Sequence, residues 1–464
     1  MMNTFKKTFI GDKQFYISLL LLTFPIVIQQ GVTNLVSLLD NVMVGSLGTE
    51  SISAVAIVNQ LLFVFNITIF GVVSGASIFG AQFAGSHDHK GLRESFRYKI
   101  IFGILASILG FLILHFYGEF LISNFLDPAS SDATEIALTL SLAKQYLVIM
   151  LFSLLPFTFT QTYASTLREL GETLAPMTAS VLSLVINLAL NYILIFGHFG
   201  APALGVVGAA IGTTIARYAE FLYIFIFTHR NSTRFQFIKG AYHSLHISPK
   251  LLKNIFIMGT PLLLNEVLWS VGMTVINQAY STKGLQVVAG INITNTAWNL
   301  FCIIMFAVST GVSVMVGQHL GAGNIERAKD TDNKLLFAAL MLHIGIGIVL
   351  FFVAPYIPLL YNTDDTVREL ASSLLRVAAF ALPIHAVAHI MYFTLRAGGK
   401  TIVTFFFDSV YTWLIPVPLI YFLTRYTTLP VVTIYCCIQC IDIIKVFIGI
   451  PLIKSGYWAK NVIE

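Results

Sequence analysis

Apolar runs long enough to cross a bilayer, which takes about 20 residues, follow one another along nearly the whole chain. Twelve are counted, near 16–43, 52–83, 100–118, 137–162, 174–196, 204–228, 255–281, 287–318, 335–356, 367–394, 403–424 and 430–453. They lack the short alternating strands of about ten residues that mark a membrane β-barrel, so helices are the spanning form. The polar positions inside the runs are few and patterned. In the first run Gln30, Asn34 and Ser37 share a helix face by spacing, and the run ends in D-N-V-M-V-G-S-L-G, Asp40 to Gly48. In the fifth run Asn187 and Asn191 stand at i and i+4, and in the tenth His385 and His389 do the same.

The pattern repeats. Pro25, Asn41, Gly48, Asn59, Gly75, Gln82 and Gly85 return as Pro261, Asn277, Gly284, Asn295, Gly311, Gln318 and Gly321, without a gap. Leu167-Arg168 with Gly171 and Thr173 returns as Leu395-Arg396 with Gly399 and Thr401. Matched Gly, Pro, Asn, Gln and Arg serve backbone geometry or hydrogen bonding, so their recurrence identifies two copies of one unit. The expected organisation is a lead-in at 1–15, a six-helix bundle at 16–228, a linker at 229–252, a second six-helix bundle at 253–454 and a tail at 455–464. The fold class is all-α and polytopic, with twelve transmembrane helices in two pseudo-symmetric bundles.

Composition agrees: 56% of the 464 residues are hydrophobic and 11% charged, against about 25% charged in soluble domains. Lys and Arg collect on one side. With Lys6, Lys7 and Lys13 in the cytoplasm, only Lys283, Arg368 and Arg425 fall on the opposite side, while Lys144, Arg217, Arg376 and Lys445 lie within predicted helices. The opposite connections carry Glu119, Asp127, Asp132, Glu135, Asp364 and Asp365. The positive-inside rule therefore predicts a multi-pass protein with both termini cytoplasmic. The net charge of +5 is a topological signature, and no nucleic-acid partner is expected. The first run is too long for a signal core and lacks a cleavage site, so it is read as retained. The four cysteines read as buried apolar thiols.

Charge inside a bilayer points to function. Arg217 with Glu220 and Asp442 with Lys445 have ready partners at i,i+3, and Asp408 reads as interfacial. Asp40 and Glu266 have no opposite charge at i±3 or i±4. Glu266 lies about 13 Å into its run at 1.5 Å per residue. A carboxylate there binds a proton or a cation but not both, and such competition couples an ion gradient to a cargo. Asn187, Asn191 and Thr213 supply uncharged oxygens on the fifth and sixth runs, in the half that contains Asp40, or clamp helices together. The His385/His389 spacing also suits a metal, but no second box accompanies it, so packing or cargo contact is favoured. No G-x-x-x-x-G-K-[ST] loop exists, so ATP is not the driver through this chain alone.

The D-N-V-M-V-G-S-L-G stretch, the paired G-A-Q-F-A-G and V-G-Q-H-L-G endings and the L-R-x-x-G turns, in two six-helix repeats, resemble the multidrug and toxic compound extrusion (MATE) family over essentially the whole chain. The resemblance implies two bundles around a central cavity, alternating access, and export of cationic amphipathic compounds against inward H⁺ or Na⁺. It implies that Asp40 binds the ion or proton with Asn187, that Thr213 is its partner on the sixth helix, and that Glu266 is the seventh-helix glutamate. Asn191 and His385 stand where some members carry acids. The expected protein is a monomeric antiporter of the plasma (inner) membrane without a cofactor. Its coupling residues are Asp40, Asn187, Asn191, Thr213 and Glu266, with H⁺ favoured over Na⁺. Its cargo residues are Gln30, Asn34, Trp269, Asn277, Tyr280, Asn295, Trp298, His385 and His389, the aromatics suiting flat cations. A lipid-linked oligosaccharide flippase would want more basic residues in its helices. An intramembrane enzyme would want a nucleophile or metal cluster, and a passive channel a charge ring or filter loop.

Overall fold

A computed structural model describes residues 8–126 and 133–464. Lys6, Lys7, Asp127 and Asp132, counted among the charges that orient the chain, lie outside the described residues. Among the described residues twelve helices are long and apolar enough to span a membrane: α1 Lys13–Gly45, α2 Thr49–Gly85, α3 His89–Ser123, α4 Thr134–Glu169, α5 Leu174–Phe196, α6 Val206–Arg230, α7 Pro249–Ser281, α8 Leu285–Gly321, α9 Ile325–Val353, α10 Asp365–Ala397, α11 Thr401–Tyr426 and α12 Val431–Lys454. They form two compact units. The N-terminal unit holds Ile28–Gly80 and His89–Ile255; the C-terminal unit holds Met1–Val27, Ala81–Asp88 and Phe256–Glu464.

In the N-terminal unit an apolar core gathers Val55, Val58 and Ile69 of α2 with Tyr146 and Leu151 of α4 and Ala209 of α6. Helices α5 and α6 meet backbone to backbone through Gly208 and Gly212. A Cβ on Gly208 would stand 2.5 Å from the Leu194 carbonyl oxygen, and one on Gly212 would stand 2.3 Å from Asn191 Oδ1. Small residues permit this approach, and it presses the Asn191 amide against α6.

Helix α3 begins at His89, well before the apolar run at 100–118, because its basic residues have partners that hydropathy cannot show. Arg93 Nε donates to Phe237 O at 3.1 Å, and Arg97 donates to Ala241 O at 2.8 Å and Gly240 O at 2.8 Å. The segment after α6 is thereby strapped onto α3. Within it burial raises the Tyr242 pKa, while its hydrogen bond with Tyr163 opposes the rise. Lys99 is fully buried and pairs with Glu169 at 2.5 Å. Glu169 is the buried last residue of α4.

In the C-terminal unit the ends of α2 and α8 cross at residues the repeat had matched. A Cβ on Gly85 would lie 1.9 Å from Gln318 O, and one on Gly321 would lie 1.9 Å from Gln82 O. The matched pairs thus face each other reciprocally. Gln82 is fully buried and its amide is used on both sides: Nε2 donates to Ala397 O at 3.1 Å, and Oε1 accepts from the Val462 N–H at 2.8 Å. Gly321→Ala is expected to cost at least about 1–3 kcal/mol, since the backbones must separate to admit a methyl group. Thermal unfolding of the purified variant measures this, and a wild-type melting temperature would refute it. The core of this unit joins Val312 and Val316 of α8, Leu335 of α9 and Ile390 of α10.

Candidate functional site

In the N-terminal unit four of the expected coupling residues form one hydrogen-bonded chain. Asn191 Nδ2 donates to Asp40 Oδ1 at 2.6 Å and to Asn187 Oδ1 at 3.3 Å, and Asn187 Nδ2 donates to Thr213 Oγ1 at 3.1 Å. The i,i+4 spacing on α5 puts both amides on the face that meets α1 and α6. Both asparagines are buried. Asn191 Oδ1 points toward Gly212 and has no hydrogen-bond partner among the described residues. Asn191 therefore offers Asp40 only donors, which favours a carboxylate acceptor. Asp40 Oδ2 receives no hydrogen bond among the described residues, so one oxygen is left to take a proton or a cation.

One turn beyond Thr213, Arg217 acts on Asp40 by its charge. Its guanidinium reaches Glu220 Oε2 at 3.3 Å and lies 5.2 Å from the centre of the Phe157 ring. Glu220 Oε1 accepts from Ser180 Oγ at 2.8 Å, Ser180 Oγ accepts from Gln29 Nε2 at 3.1 Å, and Gln29 Oε1 accepts from Arg168 at 3.2 Å. Polar groups thus continue from the neighbourhood of Asp40 along α1, α5 and α6 to the end of α4.

In the C-terminal unit the charged groups gather around a wide, π-helical turn of α11, Phe406–Val410. Such turns are frequent at functional sites. Asp408 lies in it. Oδ1 of Asp408 takes the Lys445 ammonium at 3.0 Å, and Oδ2 accepts from Asn265 Nδ2 at 3.1 Å. Lys445 Nζ is 3.7 Å from Asp442 Oδ2, and that oxygen is 3.1 Å from His385 Nδ1. His385 Nε2 meets Gln439 Oε1 at 2.8 Å. Asn265 Oδ1 accepts from the Ser409 N–H at 3.2 Å and from Ser409 Oγ at 2.7 Å, which latches α7 to the wide turn. Asp408, read from the sequence as interfacial, is a member of this group, and the nearer partner of Lys445 is Asp408 rather than Asp442 of its own helix.

A MatE family model matches residues 25–193 and 261–422, two stretches that open at the repeated prolines Pro25 and Pro261. The chain belongs to the MatE family. Among its relatives, the probable multidrug resistance protein NorM of Thermotoga maritima is 23% identical over 449 residues, 96% of this chain and 93% of the relative. The multidrug resistance protein MdtK of Pectobacterium atrosepticum is 26% identical over 397 residues, 86% of this chain and 85% of the relative. The crystal structure of a mutant of the Vibrio cholerae MATE transporter VcmN has the same fold, with a TM-score of 0.85 at 18% identity over 97% of this chain and 98% of that one. This MatE chain is accordingly a multi-pass membrane transporter and not an enzyme.

The other expected residues fall in both units of the MatE chain. Glu266 belongs to the C-terminal unit, where Arg396 and Asp408 act on it by charge; no hydrogen bond or ion pair reaches its carboxylate among the described residues. Gln30 and Asn34 are exposed on α1, and Trp269 is exposed on α7. Asn295 Nδ2 donates to Asn277 Oδ1 at 3.4 Å. Trp298 meets the His385 ring edge to face at 5.2 Å. His385 and His389 use their nitrogens on different partners, since His389 Nδ1 meets Ser309 Oγ at 2.6 Å. Tyr280 is buried in an apolar cluster with Ile276, Ile420 and Tyr435. Of the four thiols, Cys302 is buried and Cys436, Cys437 and Cys440 are half-buried. Sequence reading missed Asn265, Asp408 and Gln439 as members of one group. The readable signal was an acid next to Phe-rich sequence in α11 with a lysine in α12, but the pairing itself is tertiary.

Proposed function

We propose that the protein is a secondary active multidrug efflux antiporter, exporting small cationic amphipathic compounds in exchange for H⁺, with Na⁺ as the alternative coupling ion, by alternating access. The observation that carries this reading is the Asp40–Asn191–Asn187–Thr213 chain, a carboxylate fixed by one oxygen and open at the other. Protonation and cation binding compete for the open oxygen, so a proton entering from outside displaces a cation toward the outside. The orientation of the Asn191 amide supports H⁺. It turns its two donors toward the Asp40 carboxylate and the Asn187 amide oxygen, whereas Na⁺ is held by oxygen ligands, and Asn191 Oδ1 faces Gly212 instead. Glu266, free of hydrogen bonds among the described residues, is proposed as the second coupling carboxylate. The names of the NorM and MdtK relatives support drug-like cargo, and the exposed Trp269, with Trp298 against His385, offers stacking surface for flat cations. The proposed setting is the inner membrane, with both termini cytoplasmic, a monomeric assembly and no cofactor.

The test is export of a fluorescent organic cation from proteoliposomes under an imposed ΔpH or ΔNa⁺. Export driven by ΔpH, and insensitive to ΔNa⁺, is the expected result. Failure of both gradients to drive export of any organic cation would overturn the reading.

A further inference from the structure

Helix α9 opens with I-E-R-A-K-D-T-D-N-K, which reads as a solvated, charged helix end, yet one of its acids is in the core. Asp332 is 1% exposed. Ala328 and Leu335, one turn to either side on the same face, are fully buried in an apolar cluster with Leu395 and Trp458. Among the described residues the one group that meets the carboxyl is the hydroxyl of Thr394, at 2.5 Å from Oδ1. Oδ2 is buried and has no hydrogen-bond partner among the described residues.

The charged and titratable neighbours are engaged elsewhere. On α9 itself Lys329 pairs with Glu326 at 2.9 Å and Lys334 with Asp330 at 2.5 Å, and the buried His343 contacts Ala339 O. The helices packed on α9 are α8 and α10. On α8, His319 interacts by charge with Arg327 and Asp330. On α10, Arg396 lies over the Phe393 ring and acts on Glu266 and Tyr392.

Hydrogen counting then decides the protonation state. Thr394 has one hydroxyl hydrogen and two acceptors in reach, Asp332 Oδ1 and Ile390 O at 3.0 Å. If Asp332 were ionised, that single hydrogen could not serve both, and a buried anionic oxygen would remain bare. If Asp332 carries a proton, every hydrogen is used: the acid donates from Oδ1 to Thr394 Oγ1, the threonine donates to Ile390 O, and Oδ2 is an ordinary carbonyl oxygen. The other copy of the repeat sharpens the contrast. Thr166 is the counterpart of Thr394, and there the hydroxyl meets the Lys99 ammonium at 3.1 Å, whose charge is balanced by Glu169. In the second copy the positions of Lys99 and Glu169 are Leu335 and Ala397, so the balancing pair is gone and a lone acid meets the same threonine.

We propose that Asp332 is a proton-binding site of the C-terminal unit, distinct from Asp40 and Glu266, which holds its proton at neutral pH as a carboxylic acid bonded to Thr394. It rests on this hydrogen-bond arrangement and not on the export reading.

Infrared spectra of the full-length protein in lipid, recorded in H₂O and D₂O at neutral pH, test it. Asp332→Asn, which copies the shape of a neutral acid, is expected to assemble and to lose one deuterium-sensitive carboxylic C=O band that Asp40→Asn and Glu266→Gln each retain. An unchanged carboxylic region in Asp332→Asn overturns the proposal. Should that variant fail to assemble, Thr394→Val keeps the acid and removes its acceptor, and a shifted band is expected; an unshifted spectrum there also overturns the proposal.

Discussion

Lys445→Met is expected to destabilise the protein by about 3–5 kcal/mol, the range for removing one member of a buried ion pair and leaving the other uncompensated. The ammonium is buried and serves two carboxylates at once, at 3.0 Å and 3.7 Å. Methionine keeps the length and apolar stem of the side chain, so packing is largely preserved and charge is what is lost. The two acids do not suffer equally. Asp442 keeps His385 at 3.1 Å, whereas Asp408 is left with the neutral amide of Asn265. Asp408→Asn in the Lys445→Met background is therefore expected to restore most of the lost stability, and Asp442→Asn much less. Thermal unfolding of the three purified variants checks this. A Lys445→Met protein that melts with the wild type, or an equal rescue by both second substitutions, would show that Asp408 is not the principal partner.

Asp40→Asn should reduce ΔpH-driven export by about 10- to 100-fold, which corresponds to roughly 1.5–3 kcal/mol for a charge-assisted interaction at about 1.4 kcal/mol per decade. The substituted amide still offers Oδ1 to Asn191 Nδ2, so the α1–α5 contact survives and assembly is spared. What disappears is the negative charge and the titratable oxygen opposite it. Glu266→Gln is expected to reduce the rate similarly if both units contribute a coupling acid. Initial rates in proteoliposomes, normalised to reconstituted protein, are the measurement. Wild-type rates in both variants would remove these two acids from the coupling step.

Much of the architecture was legible because the informative residues are those whose role is local or backbone-driven. Gly85 and Gly321 recur because each must admit a neighbouring carbonyl, and sequence spacing alone reveals the recurrence. Asn187 and Asn191 share a face by helical period, and Gly208 and Gly212 repeat that spacing on α6, so the amides and the small residues that admit them were both visible. The charged core of the second unit was not. Lys445 has Asp442 three residues away in sequence, and this local pairing conceals a partner on α11, brought close by a turn whose irregular pitch no hydropathy pattern marks. Lys99 and Asp332 were hidden for another reason: each lies in a stretch rich in other charges, and only packing separates the buried member from its solvated neighbours.

The wide turn at Phe406–Val410 makes chain length as decisive as residue identity in α11. A π-helical turn contains one residue more than a regular one. Because the wide turn absorbs that residue, deleting one residue there would restore the ordinary pitch while leaving the two ends of the helix in register, and would redirect only the side chains of the turn itself, Asp408 among them. A one-residue gap at this point in a homologous chain would keep the aspartate and the lysine in an alignment and change the direction in which the aspartate leaves the helix. Comparison of α11 across species should therefore score indels before substitutions.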